Sequence, residues 1–443
     1  MNAAPRPPAS EAPAGPGPVT APTGPGPTST PTSPGPTPAP TSPGPTPAHA
    51  VRGLTPASAG PGPTPPAAAL DVVLYHYRED KAPLLREAVL PLAHRAAADG
   101  LTVHVERHWR FGPHVRLRLR GAPDRVAAAA DRTTAALRTW AAAHPAPASG
   151  AATEADLLAR SAAAGRAELV PPPYGPLVPD GTVRTEPVDQ SSLRALIGTD
   201  GVRLRDDLLV LGLPALDAGC AFLGAHADAP AARVQLAVAA LAAHAAVHPE
   251  GLVGGHYSLV SHLEDLLVHE DRDGRLRAAF ERRWAATGPA VTALVGRITD
   301  GAGPRGWERA WAHWSTRARH VTDARRAAGA DLTGRPLAYR DRAAALGDPE
   351  VADRWNPDVR TRYSEFHRLL SRSDPRGAMW SRPDYLVHRA CTNALYRLFA
   401  ICDVRPVERY LAAHLVVRTV PELTGHAWRS RVDEVIAAVE ARS

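Results

Sequence analysis

Apolar and polar residues alternate at every second position over two short stretches near residue 110. In 101–121, LTVHVERHWRFGPHVRLRLRG, Val103 and Val105 fall on one strand face and His104, Glu106 and His108 on the other. Val115, Leu117 and Leu119 then share a face, with Arg116, Arg118 and Arg120 opposite. Phe111-Gly112-Pro113 supplies turn chemistry between the two runs, so the pattern predicts a β-hairpin. Upstream, LDVVLYHY at 70–77 predicts a strand, and 82–99 predicts a helix with Leu84, Leu85, Val89, Leu92 and Ala93 on one side. Residues 124–144 predict an alanine-rich helix. The order β-α-β-β-α predicts a ferredoxin-like, split βαβ start.

Beyond about residue 203 the apolar spacing turns helical. Helices are predicted over 229–248, 258–269, 275–298 and 306–328, and a terminal one from Tyr385 past Arg418. Trp307, Trp311 and Trp314 stand at i, i+4 and i+7, the spacing of a core seam. Residues 145–195, including PPPYGPLVPDGT, are rich in Pro, Gly and polar residues and predict a long loop or insertion extending to about 200. Residues 1–69 repeat PGPTPAP-like units with almost nothing bulky and apolar. They predict a disordered tail of polyproline II character. The fold class is therefore α+β, with a mostly helical second half and one catalytic domain over 70–443.

Composition adds limits rather than a function. The chain has 443 residues with 51 Lys+Arg against 45 Asp+Glu, a net charge of +6 that is mild for this length. Lys81 is the only lysine, a bias shared with GC-rich coding. Cys220, Cys391 and Cys402 lack metal spacing and are too few for a disulfide framework, which favours a reducing cytoplasm. No apolar run is long enough to span a membrane, and the N-terminus lacks the pattern of a secretory signal. Base-stacking aromatics are sparse in the first half, which argues against a nucleic-acid partner. GxGxxG after a strand, a Walker loop, HExxH and GxSxG are all missing, so neither a metal nor a cofactor is expected.

Three weaker constellations remain. Arg116, Arg118 and Arg120, with His104, His108 and His114, form a cationic row whose members repel one another. That repulsion points to an anionic ligand or a covering acidic segment, against the plainer reading of a solvated strand face. In Gly254-Gly255-His256-Tyr257-Ser258-Leu259-Val260-Ser261-His262, either serine can serve as a helix cap. The alternative is a cluster of Tyr257, Ser258, Ser261 and His262 at a helix N-terminus, where the dipole favours developing negative charge. In YLVHRACTNALYRLFAICDVRPVERYLAAHL, His388, Thr392, Asn393 and Tyr396 are polar residues embedded in an apolar helix. Such groups are hydrogen-bonded core residues or site residues.

Taken together, PHVRLRLRG, SLVSHLEDLL and HRACTNALYRLF…VERYLAAHL resemble the thiopeptide-type bacteriocin biosynthesis family, which is similar to the C-terminal elimination domain of lantibiotic dehydratases. The resemblance implies work in the cytoplasm on a leader-bearing precursor peptide, alongside a partner glutamylation protein, with no cofactor and with room for a homodimer. It implies one of two reactions: a formal [4+2] cycloaddition of two dehydroalanines that forms a pyridine and expels the leader, or glutamate elimination from glutamylated Ser/Thr. Arg116 and Arg118 match strand arginines that hold the glutamyl adduct, and His388 and Asn393 match the helix histidine and its neighbour. The elimination type usually carries an arginine in a YxRExxRYGG-like stretch. Here that region reads PPPYGPLVPDGTVRTEPVDQ, with Arg184 alone, and the separation from His114 to His388 is long. Both departures favour cycloaddition. The expected catalytic residues are then Tyr257, Ser258, Ser261, His262 and His388, with Arg116, Arg118, Arg120, His108, Asn393 and Tyr396 binding substrate. A non-catalytic leader-binding adaptor is the reading from another class.

Overall fold

In the computed structural model the described residues are 67–145, 153–300, 302–334 and 336–441. The tail expected over 1–69 lies almost wholly outside them. Four strands, β1 (Ala68–Tyr75), β2 (Thr102–His108), β3 (His114–Gly121) and β4 (Val183–Pro187), form one antiparallel sheet in the order β2-β3-β1-β4. Helix α1 follows β1 as Ala82–Leu84, a π-helical turn Leu85–Val89, and Leu90–Ala98. Helix α2 (Pro123–Ala143) follows β3. Val72, Leu74, Val103, Val105, Val115, Leu117 and Leu119 are buried on the sheet face that these two helices cover. The alternation that predicted the hairpin thus produces a sheet with one apolar side.

The segment expected to be a loop is partly ordered. Helix α3 (Glu154–Glu168) opens with a capping box at Thr153 and Asp156, and β4 completes the sheet beside β1. Helix α4 (Ser191–Leu211) begins before residue 200. Proline and glycine frame these elements rather than replacing them. β4 has a short VRTEP alternation that earns its place only by pairing with β1.

The helical half comprises α5 (Leu213–Ala225), α6 (Pro230–Ala246), α7 (Gly251–Gly255), α8 (Tyr257–Glu270), α9 (Arg275–Thr299), α10 (Glu308–Ala327), α11 (Pro336–Leu346), α12 (Pro349–Trp355), α13 (Glu365–Ser373), α14 (Pro383–Ile401), α15 (Pro406–Thr424) and α16 (Trp428–Glu440). Helix α6 is the hub, buried from Ala232 to Ala245 except at Gln235 and packed by α9, α10 and α15. Its alanines let the surrounding helices approach closely. Trp311 and Trp314 are buried as a core seam, and the Trp314 indole donates to the Leu208 carbonyl at 3.0 Å.

The single terminal helix expected from Tyr385 onward is two helices. Asp403 takes a positive φ of 60°, and Pro406 has no N–H with which to continue α14. The Asp403 carboxylate accepts from the Lys81 backbone N–H at 2.7 Å and pairs with Arg107, so tertiary contacts fix the break. No single described helix is long and apolar enough to cross a membrane.

Candidate active site

One glycine sets the position of α8. A Cβ on Gly255 would stand 2.1 Å from the Ala245 carbonyl oxygen, so only glycine lets the α7–α8 junction press against the end of α6. Along α8, residues 258, 261 and 262 share one face, and so do residues 388, 392 and 396 along α14. These two faces meet.

The Ser258 hydroxyl lies 3.1 Å from His388 Nε2, and both groups bond the Gly255 carbonyl, at 3.1 and 3.2 Å. A carbonyl only accepts, so Nε2 of His388 carries the proton in that bond. The His388 ring stacks on His244, centroids 4.3 Å apart, with His248 edge-on at 5.2 Å. Thr392 donates its hydroxyl to the His388 carbonyl at 2.9 Å, so it accepts from His244 Nε2 at 2.8 Å. The Nδ1 of His244 is then a buried acceptor without a partner among the described residues. Burial, and after it His248, push His388 down to about 3.

One turn along, His262 Nδ1 lies 2.9 Å from the Tyr396 hydroxyl. Burial raises the Tyr396 phenol and lowers His262 to about 4, so both are neutral near pH 7. Among the described residues the Tyr396 hydroxyl has no other partner. Donation to Nδ1 satisfies it and leaves Nε2–H of His262 as a free donor. Beside this pair, the Ser261 hydroxyl bonds His367 Nε2 at 3.0 Å. Ser364, the N-cap of α13, holds Nδ1 of the same ring at 2.7 Å. The serines of α8 were expected as possible caps. Helix α8 has no side-chain cap, and both serines turn to imidazoles instead.

Ser258, Ser261, His262, His388 and Tyr396 are therefore brought together, and two expected residues of the same helices are not. Tyr257 turns aside toward Phe366, ring centroids 6.3 Å apart. Asn393 is exposed, because five residues beyond His388 a helix presents the opposite side. His244, His367, Ser364 and Arg409 are residues the sequence reading missed. A lone polar residue in an alanine run marked His244, and Ser-x-x-His at a helix start marked Ser364 and His367.

The cationic row lies elsewhere. Helix α14 sits between, with Arg107 of β2 reaching the Ala400 carbonyl from the sheet side. The row is not the open anion grip that strand alternation suggested, because acidic residues cover it. Arg118 is only 3 % exposed and forms a bidentate pair with Asp71 at 2.8 Å for both bonds. Glu106 lies 3.3 Å from Arg118 and also pairs with Arg205 of α4, and Arg120 reaches Asp206 at 3.2 Å. Burial pushes Glu106 up, but Arg205 and His104 outweigh it and hold the carboxyl well below its usual range. His104, Glu106 and Asp206 are close enough to hold a cation, yet the two guanidiniums already neutralise those carboxylates. Arg116 alone keeps no carboxylate partner among the described residues, and its Nε donates to His114 at 2.9 Å. His108 stacks on His114 at 5.5 Å, and burial, then Arg116, lowers it to about 3.

A cleft of about 450 Å³ opens on the outer side of α8, lined by Leu263, Leu267, Ser364, His414, Trp428 and Arg429 among others. It shares Ser364 with the site but does not reach His388.

Residues 70–176 match the family described as lantibiotic biosynthesis dehydratase C-terminal. The resemblance read from PHVRLRLRG thus holds for that stretch, while the two helical patches lie beyond it. No curated protein has a matching sequence. Among solved structures, a pyridine synthase, TbtD, from thiomuracin biosynthesis is similar with a TM-score of 0.59 and 18% identity, covering 81% of this chain and 99% of that one. TsrL is similar with a TM-score of 0.52 and 16% identity, covering 84% and 99%. At these identities the likeness is one of fold.

Proposed function

We propose, for a chain whose residues 70–176 carry the lantibiotic dehydratase C-terminal pattern on a fold shared with a pyridine synthase, that it matures a ribosomally made peptide by joining two dehydroalanines into a pyridine. The observation that carries this reading is the convergence of two neutral hydroxyl–imidazole pairs, Ser258–His388 and Tyr396–His262, between α8 and α14. Such pairs are neutral at rest and can still give and take protons. That suits a substrate whose reacting groups are an amide and two alkenes.

The amide preceding one dehydroalanine shifts its N–H proton to oxygen, giving a 2-azadiene. Two C–C bonds form, methylene to methylene and former carbonyl carbon to the α-carbon of the other dehydroalanine. Water then leaves, its hydroxyl from the former carbonyl carbon and its proton from one ring methylene, and the leader leaves as its carboxamide with a proton from the other methylene beside it. An aromatic ring remains. Holding both alkenes together supplies a large share of the acceleration. The Ser258 hydroxyl, which accepts from Nε2–H of His388, is suited to polarise the amide when its own proton turns from the Gly255 carbonyl to the substrate. Nε2–H of His262 is suited to protonate the departing hydroxyl, with Tyr396 replacing that proton at Nδ1.

The test is incubation with a leader-bearing peptide containing two dehydroalanines, followed by mass spectrometry. Free leader carboxamide and a macrocycle lighter by water and leader are expected. Intact peptide in every such incubation rejects the reading. Glutamate elimination is the second reading, supported by Arg116, which lies beside His108 and His114 with no carboxylate partner among the described residues. It predicts loss of glutamate from a glutamylated peptide. The burial of Arg118 against Asp71 counts against it, since that guanidinium is only 3 % exposed and out of reach of a substrate carboxylate.

A further inference from the structure

We propose that Arg409 stabilises the negative charge left on Tyr396 when the Tyr396–His262 pair delivers a proton, a role that rests on the reaction proposed above. The Arg409 guanidinium lies over the Tyr396 ring at 4.3 Å from its centroid, and at 4.8 Å from that of Tyr410. Its Nε is buried with no hydrogen-bond partner among the described residues. Other arginines of this region face carboxylates: Arg233 meets Glu408 at 2.8 Å, Arg418 meets Glu281 at 3.7 Å and Arg405 meets Glu79 at 3.8 Å. Arg409 has no such ion pair among the described residues, and two aromatic faces hold it. A cation compensated only by ring faces keeps its field for its neighbours.

That field falls on both members of the pair. At Tyr396 burial raises the phenol, Arg409 opposes it and Tyr410 adds to it. At His262 burial lowers the ring, Arg409 reinforces that, Asp265 opposes it, and His367 and Arg354 reinforce it. Arg409 therefore makes Tyr396 more acidic and His262 less basic, which poises the pair to give a proton. When His262 Nε2–H breaks to form the O–H of the departing water, Nδ1 takes the Tyr396 proton. The phenolate that results lies beneath the guanidinium, and a ring-methylene proton of the substrate restores it. Arg409 is thus a positioning residue that acts through Tyr396.

The test replaces the tyrosines with a fluorinated tyrosine, whose more acidic phenol titrates at lower pH, and follows Tyr396 by fluorine NMR, assigned with Tyr396→Phe. Arg409→Met is expected to move that titration up by about one pH unit and to lower kcat about tenfold with little change in KM. Arg409→Lys, which keeps the charge, is expected to recover most of both effects. A titration unchanged in Arg409→Met overturns the assignment, whatever the activity. A lysine variant as impaired as the methionine one, with fluorine resonances still dispersed, overturns it too, because packing rather than charge is then responsible. A shifted titration without pyridine formation from any peptide supports the charge coupling and rejects only the reaction.

Discussion

Ser258 and His388 are 130 positions apart in the chain and meet at 3.1 Å, both bonded to the carbonyl of Gly255. The pair joins the first turn of α8 to the second turn of α14. On the proposed reading it touches the reacting amide. His388→Ala is expected to lower product formation about 100-fold or more while leaving peptide affinity nearly unchanged. Ser258→Ala is expected to follow it, and the double variant to cost little beyond either single one. Turnover by mass spectrometry and affinity by fluorescence anisotropy separate this from an adaptor role, in which His388→Ala leaves product formation intact.

Arg118 is expected to matter for folding more than for chemistry. Arg118→Met strips the buried Asp71 carboxylate of its partner, and such a break costs on the order of 3–5 kcal/mol. Urea denaturation should show that loss, and replacing Asp71 by Leu in the same chain should recover part of it. A protein of unchanged stability that has lost activity would instead make Arg118 a substrate ligand.

Gly255→Ala tests how closely α7 and α8 must pack on α6. The new methyl meets the Ala245 carbonyl at 2.1 Å, a backbone atom that cannot swing aside. A loss of about 1–3 kcal/mol in stability is expected. Activity should fall with it, because the Gly255 carbonyl and Ser258 move away from His388. Thermal unfolding and turnover measured together check both, and an active variant of normal stability rejects the packing argument.

Buried histidines should make the fold sensitive to mild acid. Burial lowers His76, His256, His262 and His414 to about 4, and His108 and His388 to about 3. Unfolded histidine titrates near about 6.5, so on acidification the unfolded chain binds these protons first. Their contribution to stability is complete above that value and declines as pH falls toward 4 and then 3. The urea midpoint should therefore drop between pH 7 and pH 5, and an unchanged midpoint contradicts the burial of these rings as neutral groups.

Local pattern was enough for much of the fold. The alternation in VRLRLR fixed which side of β3 faces α1 and α2, since a strand with Val115, Leu117 and Leu119 on one face has one way to bury them. Helical spacing placed α8, α9 and α10 within a residue or two. The hairpin also announced that the arginines need counter-charge. It could not say where that charge comes from, because Asp71 is paired by strand register and Asp206 arrives from α4, neither of them a sequence neighbour.

The sequence by itself determined the polar inventory of the site: Ser258, Ser261, His262, His388 and Tyr396 stand out as polar groups on apolar helices. Only the tertiary structure decided the pairing, which hydroxyl meets which imidazole, and that Tyr257 and Asn393 turn away. It also brought in His244, His367 and Arg409. The physical reason is range: helix and strand periodicity act over a few residues, whereas the Ser258–His388 and His262–Tyr396 contacts exist only where α8 and α14 are held together around the α6 hub.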